Sequence, residues 1–317
     1  MQIFRALTEL PASFGPTVAT IGNFDGVHRG HQKVIREVIA RAQDLNARSL
    51  AITFDPHPAR ILHPLSKRPL ITPLAQKLDL LATTGLDATL VLPFTDDLSR
   101  TSARDFAESV LKGKLGVIEL HEGDNFRFGY RAEAGVDSLD ALGHELGFRV
   151  AIDSPRVLRG EAVSSTRIRQ LIAAGDVSGA RCLLGRPFAI VGTPASGRGY
   201  GTQYTVPTIN LAPYDELIPA IGVYITTLTI HGECFQAVTN VGNRPTFGED
   251  SFTIESHILN FHPIELSEQT PLHLEFLKRL RDEIRWPSPE ALREQIGRDV
   301  RRAKRYFSLC DRLAGRQ

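Results

Sequence analysis

Gly22-Asn23-Phe24-Asp25-Gly26-Val27-His28-Arg29-Gly30-His31 is the stretch whose reading decides the fold. Before it stands the apolar run Val18-Ala19-Thr20-Ile21, which reads as a buried strand. After it, residues 30–45 place Val34, Ile35, Val38 and Ile39 on one face of a helix. A strand, a Gly-rich turn and a helix form the start of a βα unit, and the pattern continues outward. Residues 49–54, 88–92 and 117–120 read as strands, whereas 74–81, 105–111 and 136–146 read as helices. Strands separated by helices imply parallel pairing, so the N-terminal half is predicted to be an α/β doubly wound parallel sheet. Such sheets bind ligands at the carboxyl ends of their strands, where the decisive stretch lies.

The residues of that turn suit phosphate. Glycines let the backbone approach a ligand closely. A helix start offers unpaired N–H groups and the positive end of the dipole, and His28 and His31 there can donate to oxygens where charge builds up. Taken alone, the string also fits a Gly-rich turn with capping histidines. Three further strings follow in order. Thr53-Phe54-Asp55-Pro56-His57-Pro58 leaves the second strand, and Gly123-Asp124-Asn125-Phe126-Arg127-Phe128-Gly129 leaves the strand at 117–120. Val163-Ser164-Ser165-Thr166-Arg167-Ile168-Arg169 offers three hydroxyls where an N-cap needs one, with a guanidinium one turn on. Read singly, these could be a Pro-rich strand exit, a capped turn and a helix cap.

The four strings together resemble the GxFDGxHxGH signature and companion motifs of the nucleotidyltransferase superfamily, in its flavin-adenylylating branch. That resemblance implies attack of the FMN phosphate on the α-phosphorus of ATP, with pyrophosphate leaving and no covalent enzyme intermediate. It implies that His28 and His31 stabilise the phosphates in the transition state and that Gly22, Phe24, Asp25, Ser165, Thr166 and Arg169 form the ATP site. Asn125 would lie at the nucleotide or flavin, and Mg²⁺ would bridge phosphate oxygens.

From about residue 185 the pattern changes to strands. Residues 222–230 and 234–241 are rich in β-branched side chains and flank His231-Gly232, a hairpin signal, and 252–261 alternates similarly. Ser288 and Pro289 start a helix whose Leu292, Ile296, Val300, Ala303 and Phe307 are expected to pack on those strands. A small antiparallel β-barrel with a C-terminal helix is predicted. Residues 173–185 are read as a helix end and the passage between halves. The expected domains are therefore 1–184 and 185–317.

Gly197, Gly199 and Gly201 form a flexible stretch that could lay N–H groups over phosphates or simply be a loop. No Gly-Lys-Ser/Thr follows, so it is not a Walker A loop. Thr208 and Asn210, two apart on an extended strand, share a face and offer hard oxygen ligands for Mg²⁺, or a polar edge. Glu255 sits in an apolar β-branched strand, where a carboxylate must be paired, exposed or functional, with His257 on the same face. With Asn240-Val241-Gly242-Asn243-Arg244-Pro245-Thr246-Phe247, these strings resemble the riboflavin kinase module: a PTAN-like motif, NxGxRPTF and a strand with a catalytic Glu. The chain departs from it at Ile209, where Ala is usual, and in Gly-Tyr-Gly-Thr-Gln-Tyr-Thr-Val ahead of Pro207. The resemblance implies ATP-dependent phosphorylation of riboflavin, with Glu255 as general base and Thr208 and Asn210 holding Mg²⁺. Together the halves resemble the bifunctional prokaryotic riboflavin kinase/FAD synthetase family.

Composition narrows the alternatives. The chain has 317 residues, which at roughly 150 per domain suits two domains. With 37 Lys plus Arg against 36 Asp plus Glu, the net charge of +1 supplies no field for coating nucleic acid or an anionic membrane. No apolar run is long enough to span a bilayer, residues 1–15 carry no signal-like h-region, and a cytoplasmic enzyme working as a monomer or transient homo-oligomer is expected. Cys182, Cys234 and Cys310 are expected to be small buried hydrophobes in a reducing compartment. The basic stretch 298–305 reads as a solvated helix face. Competing readings are a single-activity nucleotidyltransferase with a weakened or merely structural barrel, and a non-catalytic flavin or nucleotide sensor.

Overall fold

The computed structural model describes residues 1–65, 68–195, 208–244, 251–262, 264–284 and 286–315. The chain divides into two compact units, Met1–Ser165 and Thr166–Gln317. The first unit is built on β1 (Gln2–Phe4), β2 (Thr17–Ile21), β3 (Arg48–Asp55), β4 (Ala88–Pro93), β5 (Val117–Gly123) and β6 (Arg149–Asp153). They form one parallel sheet in the order β1-β4-β3-β2-β5-β6. β2 is buried at all five residues, as a central strand covered on both faces must be. One core layer gathers Phe14, Leu50, Leu90, Leu111 and Leu120, and the other Val18, Phe24, Ile35, Val38 and Leu81. The helix Arg29–Asp44 contributes Ile35 and Val38 to that second layer, with Val34 and Ile39 packed beside them. The parallel α/β sheet is thus as expected.

Three local features differ from the expectation. The edge strands β1 and β6 carry too few buried positions to announce themselves. The segment Phe106–Lys114 is wound in π-type turns, with the Leu115 N–H bonded to the Val110 carbonyl five residues back. A short hairpin, β7 (Val157–Leu158) with β8 (Glu161–Ala162), precedes the helix Ser165–Ala173.

The second unit has β9 (Phe188–Gly192), β10 (Thr208–Asn210), β11 (Gly222–Ile230), β12 (Glu233–Arg244), β13 (Ser251–Ile258) and β14 (Leu272–Arg281). They pair antiparallel in the order β10-β13-β12-β11-β14-β9. The sheet curls until its outer strands meet: Pro194 bridges Leu211, and the Ala195 N–H reaches the Asn210 carbonyl at 2.8 Å. His231 and Gly232 both have positive φ, the geometry a two-residue hairpin turn requires. Residues 173–185 contain a helix, Val177–Leu184, capped by Asp176 and packed on β9 and β14. It is therefore part of the second unit's core and not a bare passage.

The C-terminal helix Pro289–Ala314 begins as expected, with Ser288 accepting from the Ala291 N–H. Its packing is a correction. Ala303 and Phe307 join Val223, Ile225 and Val238 in a core, but Leu292 and Ile296 are 42% and 43% exposed. The 26-residue helix, about 39 Å long at ~1.5 Å per residue, is tied by the buried Asp299 to Arg281 of β14 at 2.9 Å. Its apolar contacts begin beyond that anchor. The three cysteines are also a correction: all are exposed and none forms a disulfide. Cys234 lies at the turn end of a hairpin and Cys310 on the outward side of the last helix, positions the core does not reach. Among the described residues no helix is long and apolar enough to cross a membrane.

Candidate functional site

β2 is flanked by β3 on one side and β5 on the other, so the sheet's order reverses at its carboxyl end. There the loop 22–28 leaves the sheet through three residues of positive φ: Phe24 (46°), Gly26 (86°) and Val27 (38°). For a β-branched residue such as Val27 that conformation is strained, and strain of this kind persists only where surroundings over-determine it. The surroundings are on view. The buried Asp25 carboxylate accepts from the amides of Ile71 and Thr72 at 2.9 and 3.0 Å, and the Gly26 N–H reaches the Thr72 hydroxyl at 2.9 Å. The Ser165 hydroxyl donates to the Asp25 carbonyl at 2.8 Å. Phe24 is buried in the core with its ring 3.3 Å from where a Cβ on Gly22 would lie, so a side chain there would crowd the ring. Gly22, Phe24 and Asp25 thus frame the loop and turn no side-chain functional group into solvent.

The frame presents the two histidines. His28 caps the helix Arg29–Asp44: its Nδ1 accepts from the His31 N–H at 3.3 Å. A Cβ on Gly30 would stand 3.0 Å from the His28 ring, which explains the glycine between them. The rings of His28 and His31 stack at 3.6 Å and 15°. The His31 Nδ1 is buried without a hydrogen-bond partner among the described residues. Burial, then the neighbouring His28 and Lys77, hold His31 well below the ordinary histidine range, so it is a neutral imidazole. Because His28 accepts at Nδ1, its neutral form carries the proton on Nε2 and donates from there.

Other expected residues lie around this centre. Thr53 is buried at the end of β3, while His57 caps the short helix Pro58–Leu62. Asn125 is exposed on the turn after β5, beside Phe126 and Phe128, whose rings stack at 5.5 Å against the core. Of the hydroxyl group, Ser165 is bonded into the loop; Thr166 and Arg169, exposed and half-buried on the next turn of the helix, begin the second unit.

Two residues here escaped sequence reasoning. Lys77 is buried and donates to the Asn23 carbonyl at 3.2 Å and the Thr53 hydroxyl at 3.0 Å. Its signal was present, since Lys77 falls on the inward stripe of Leu74, Leu78 and Leu81. Glu122 is buried at the end of β5, where the β2–β5 ladder has run out, and accepts from the Ile21 N–H at 2.6 Å. Burial pushes its carboxyl well above the usual range; the Ile21 bond opposes this and Asp153 adds to it. On the neighbouring face His121 bridges Glu119 (2.9 Å) and Asp153 (3.1 Å), and Arg41 holds Glu119 with two hydrogen bonds.

In the second unit the strand register brings a row of side chains together. Asn210 on β10 pairs with Glu255 on β13, which pairs with Asn240 on β12. Thr208 pairs with His257 one step along. Glu255 is half-buried on the outer face, with no hydrogen bond or ion pair among the described residues. His257 shares that face without bonding to Glu255, and burial lowers its pKa. The opposite face of the same strands carries a buried hydroxyl ladder, Thr226–Thr239–Ser256, at 2.6 and 2.9 Å. Asn240 donates to Glu283 at 3.3 Å. Gly197, Gly199 and Gly201 lie outside the described residues, as do 245–247.

The FAD synthetase family model matches residues 10–167, and the riboflavin kinase model matches residues 184–307. The bifunctional riboflavin kinase/FMN adenylyltransferase of Pseudomonas fluorescens is 37% identical over 96% of this chain and 97% of its own. That of Haemophilus influenzae is 31% identical over 97% and 100%. Among solved structures, a crystal structure described as a macrolide-efflux protein from Streptococcus pneumoniae superposes with a TM-score of 0.85. It is 25% identical and covers 95% of this chain and 98% of that one.

Proposed function

The chain belongs to the bifunctional riboflavin kinase/FMN adenylyltransferase family, and from that premise we propose how its two reactions are shared among its residues. It phosphorylates riboflavin with ATP to give FMN and ADP, and adenylylates FMN with a second ATP to give FAD and pyrophosphate. Residues 1–184 carry the adenylyl transfer and 185–317 the kinase reaction, a division that the spans of the two family models support.

For adenylyl transfer, the observation that carries the reading is the stacked pair at the helix start. The FMN phosphate attacks the α-phosphorus of ATP in line, so no side chain need be a nucleophile and the protein's work is placement and charge stabilisation. His28 Nε2–H and His31 donate to the α- and β-phosphate oxygens as charge moves onto the leaving pyrophosphate. Gly22, Phe24 and Asp25 give the ATP site its backbone shape. Ser165, Thr166 and Arg169 hold the triphosphate, with the guanidinium matching two oxygens at once. Asn125 meets the nucleotide or the flavin.

For phosphoryl transfer, the row Asn210–Glu255–Asn240 supports the assignment. Glu255, half-buried and without an ion-pair partner among the described residues, accepts the proton of the ribityl 5′-hydroxyl as it attacks the γ-phosphorus. The hydroxyl of Thr208 and amide oxygen of Asn210 are hard, neutral donors on one strand. That set fits Mg²⁺, which takes few protein ligands and completes its shell with water and phosphate. When bound there, Mg²⁺ neutralises charge on the ATP phosphates. The reading includes a cytoplasmic protein, monomeric or transiently homo-oligomeric, with no nucleic-acid or membrane partner.

Chromatography of flavins over time tests the division. In Glu255→Gln, FMN formation from riboflavin should be lost while FMN-to-FAD conversion stays at wild-type rate; unchanged kinase activity would end the general-base role. In His28→Ala plus His31→Ala the converse is expected. FAD formation should fall at least ~100-fold, the loss typical of one preorganised donor, with FMN formation unchanged.

A further inference from the structure

Lys77 takes the inward face of the helix Leu74–Ala82 together with Leu78 and Leu81. Removing an ammonium from water is strongly unfavourable unless charge and hydrogen bonds compensate. Yet Lys77 forms no ion pair among the described residues. Its two acceptors are neutral, the Asn23 carbonyl at 3.2 Å and the Thr53 hydroxyl at 3.0 Å. An ammonium has three N–H donors, and the third meets no acceptor among the described residues. Asp25 and Asp55 act on it only through space, and the Asp25 carboxylate is already taken up by the amides of Ile71 and Thr72. A Leu or Met would fill the same inward position without this penalty.

The two acceptors belong to different parts of the sheet's carboxyl end. Asn23 lies in the loop after β2, and Thr53 lies on β3, the strand beside it. Thr53 also donates to the Asn23 carbonyl at 3.4 Å, so three groups close a small ring beneath the loop. We propose that Lys77 is a positioning residue of the adenylyltransferase site. Its ammonium ties the loop that carries His28 to β3, and its remaining N–H and charge favour the anionic substrates there. This rests on the assignment of His28 and His31 to that reaction.

The charge has a second consequence, through His31. After burial, the electrostatic influence of His28 and then of Lys77 depresses its basicity. On the strands packed against its helix the ionisable groups are Arg48 and Asp55 of β3 and Glu119, His121 and Glu122 of β5, and none forms an ion pair with His31 among the described residues. Removing the charge at Lys77 must therefore raise the pKa of His31.

The full-length chain carries its own folding control, because the kinase reaction uses the other unit. Lys77→Met removes charge and hydrogen bonds; Lys77→Gln removes the charge but can still donate to both Asn23 and Thr53. For Lys77→Met, kcat/KM of FAD formation from FMN should fall about 100-fold, the effect of a small misplacement of reacting groups, with riboflavin phosphorylation unchanged. Lys77→Gln should restore most of kcat while KM stays raised. In both, the acid limb of the pH–rate profile for FAD formation should move to higher pH. Wild-type FAD formation in Lys77→Met, or equal losses in both reactions, or an unmoved acid limb, would overturn the proposal. If Lys77→Met does not fold, the KM and the acid limb of Lys77→Gln decide alone. Loss of FAD formation in the double histidine variant beside a normal Lys77→Met removes only the role of Lys77; a normal double histidine variant removes the assignment beneath it.

Discussion

Glu122 shows how one side chain can replace a backbone bond and leave a pH signature. Between β2 and β5 the ladder ends at Ala19 and Leu120, and the next free amide of β2, that of Ile21, is taken by the Glu122 carboxyl. Opening the sheet at this point is what makes room for the loop at the switch point. The group is buried and its pKa raised, so the folded chain holds a proton there that the unfolded chain releases. Stability from this group is complete at pH below the ordinary carboxylate range. It declines by up to about 1.4 kcal/mol per pH unit until the raised folded value is passed. Glu122→Gln keeps the acceptor for Ile21 and cannot ionise. Its melting temperature should match wild type near pH 4 and exceed it increasingly toward pH 8, as calorimetry across that range would read. Parallel melting curves at all pH values would show that Glu122 is ionised in the native state.

At the scale of elements, what was legible followed from periodicity. β2, β3 and the helix Arg29–Asp44 have continuous or striped apolar residues because both faces, or one, are fully covered. The hairpin at His231-Gly232 was equally plain, since few dipeptides tolerate two positive φ values. The elements that escaped are those whose burial is partial or shared. β6 reads Arg-Val-Ala-Ile-Asp with no fully buried residue. The helix Val177–Leu184 is only eight residues long, and the strand it packs on most, β14, lies far along the chain. The last helix misled in the opposite sense: its stripe is real, but an ion pair between Arg281 and Asp299 sets which turns touch the sheet. A stripe says which face is apolar and not how much of it finds a partner. The same limit applies to the site. The strings around His28, His31, Thr208 and Glu255 could be quoted from the chain. That Asn240 completes a row with Glu255 and Asn210 depends on antiparallel register, and that Lys77 reaches Asn23 depends on helix packing; neither is a local property.

For the whole molecule the question is how the product of one unit becomes the substrate of the other. With a net charge of +1 the chain has no long-range field to retain FMN near itself. Any attraction for the FMN phosphate must come from local groups, and screening limits it to about 10 Å. FMN leaving the kinase site is therefore expected to mix with solvent before it is captured again. Two variants, each lacking one reaction, make this measurable. A mixture of Glu255→Gln with His28→Ala plus His31→Ala should convert riboflavin to FAD, because the second chain supplies FMN and the first adenylylates it. FAD should appear after a lag during which FMN accumulates, and doubling the Glu255→Gln chain should shorten that lag while leaving the rate of FMN formation unchanged. Chromatography of the flavins at successive times reads all three species. A mixture that makes FMN but never FAD, while Glu255→Gln alone still adenylylates added FMN, would mean that transfer requires both sites in one chain and that FMN is handed over without release.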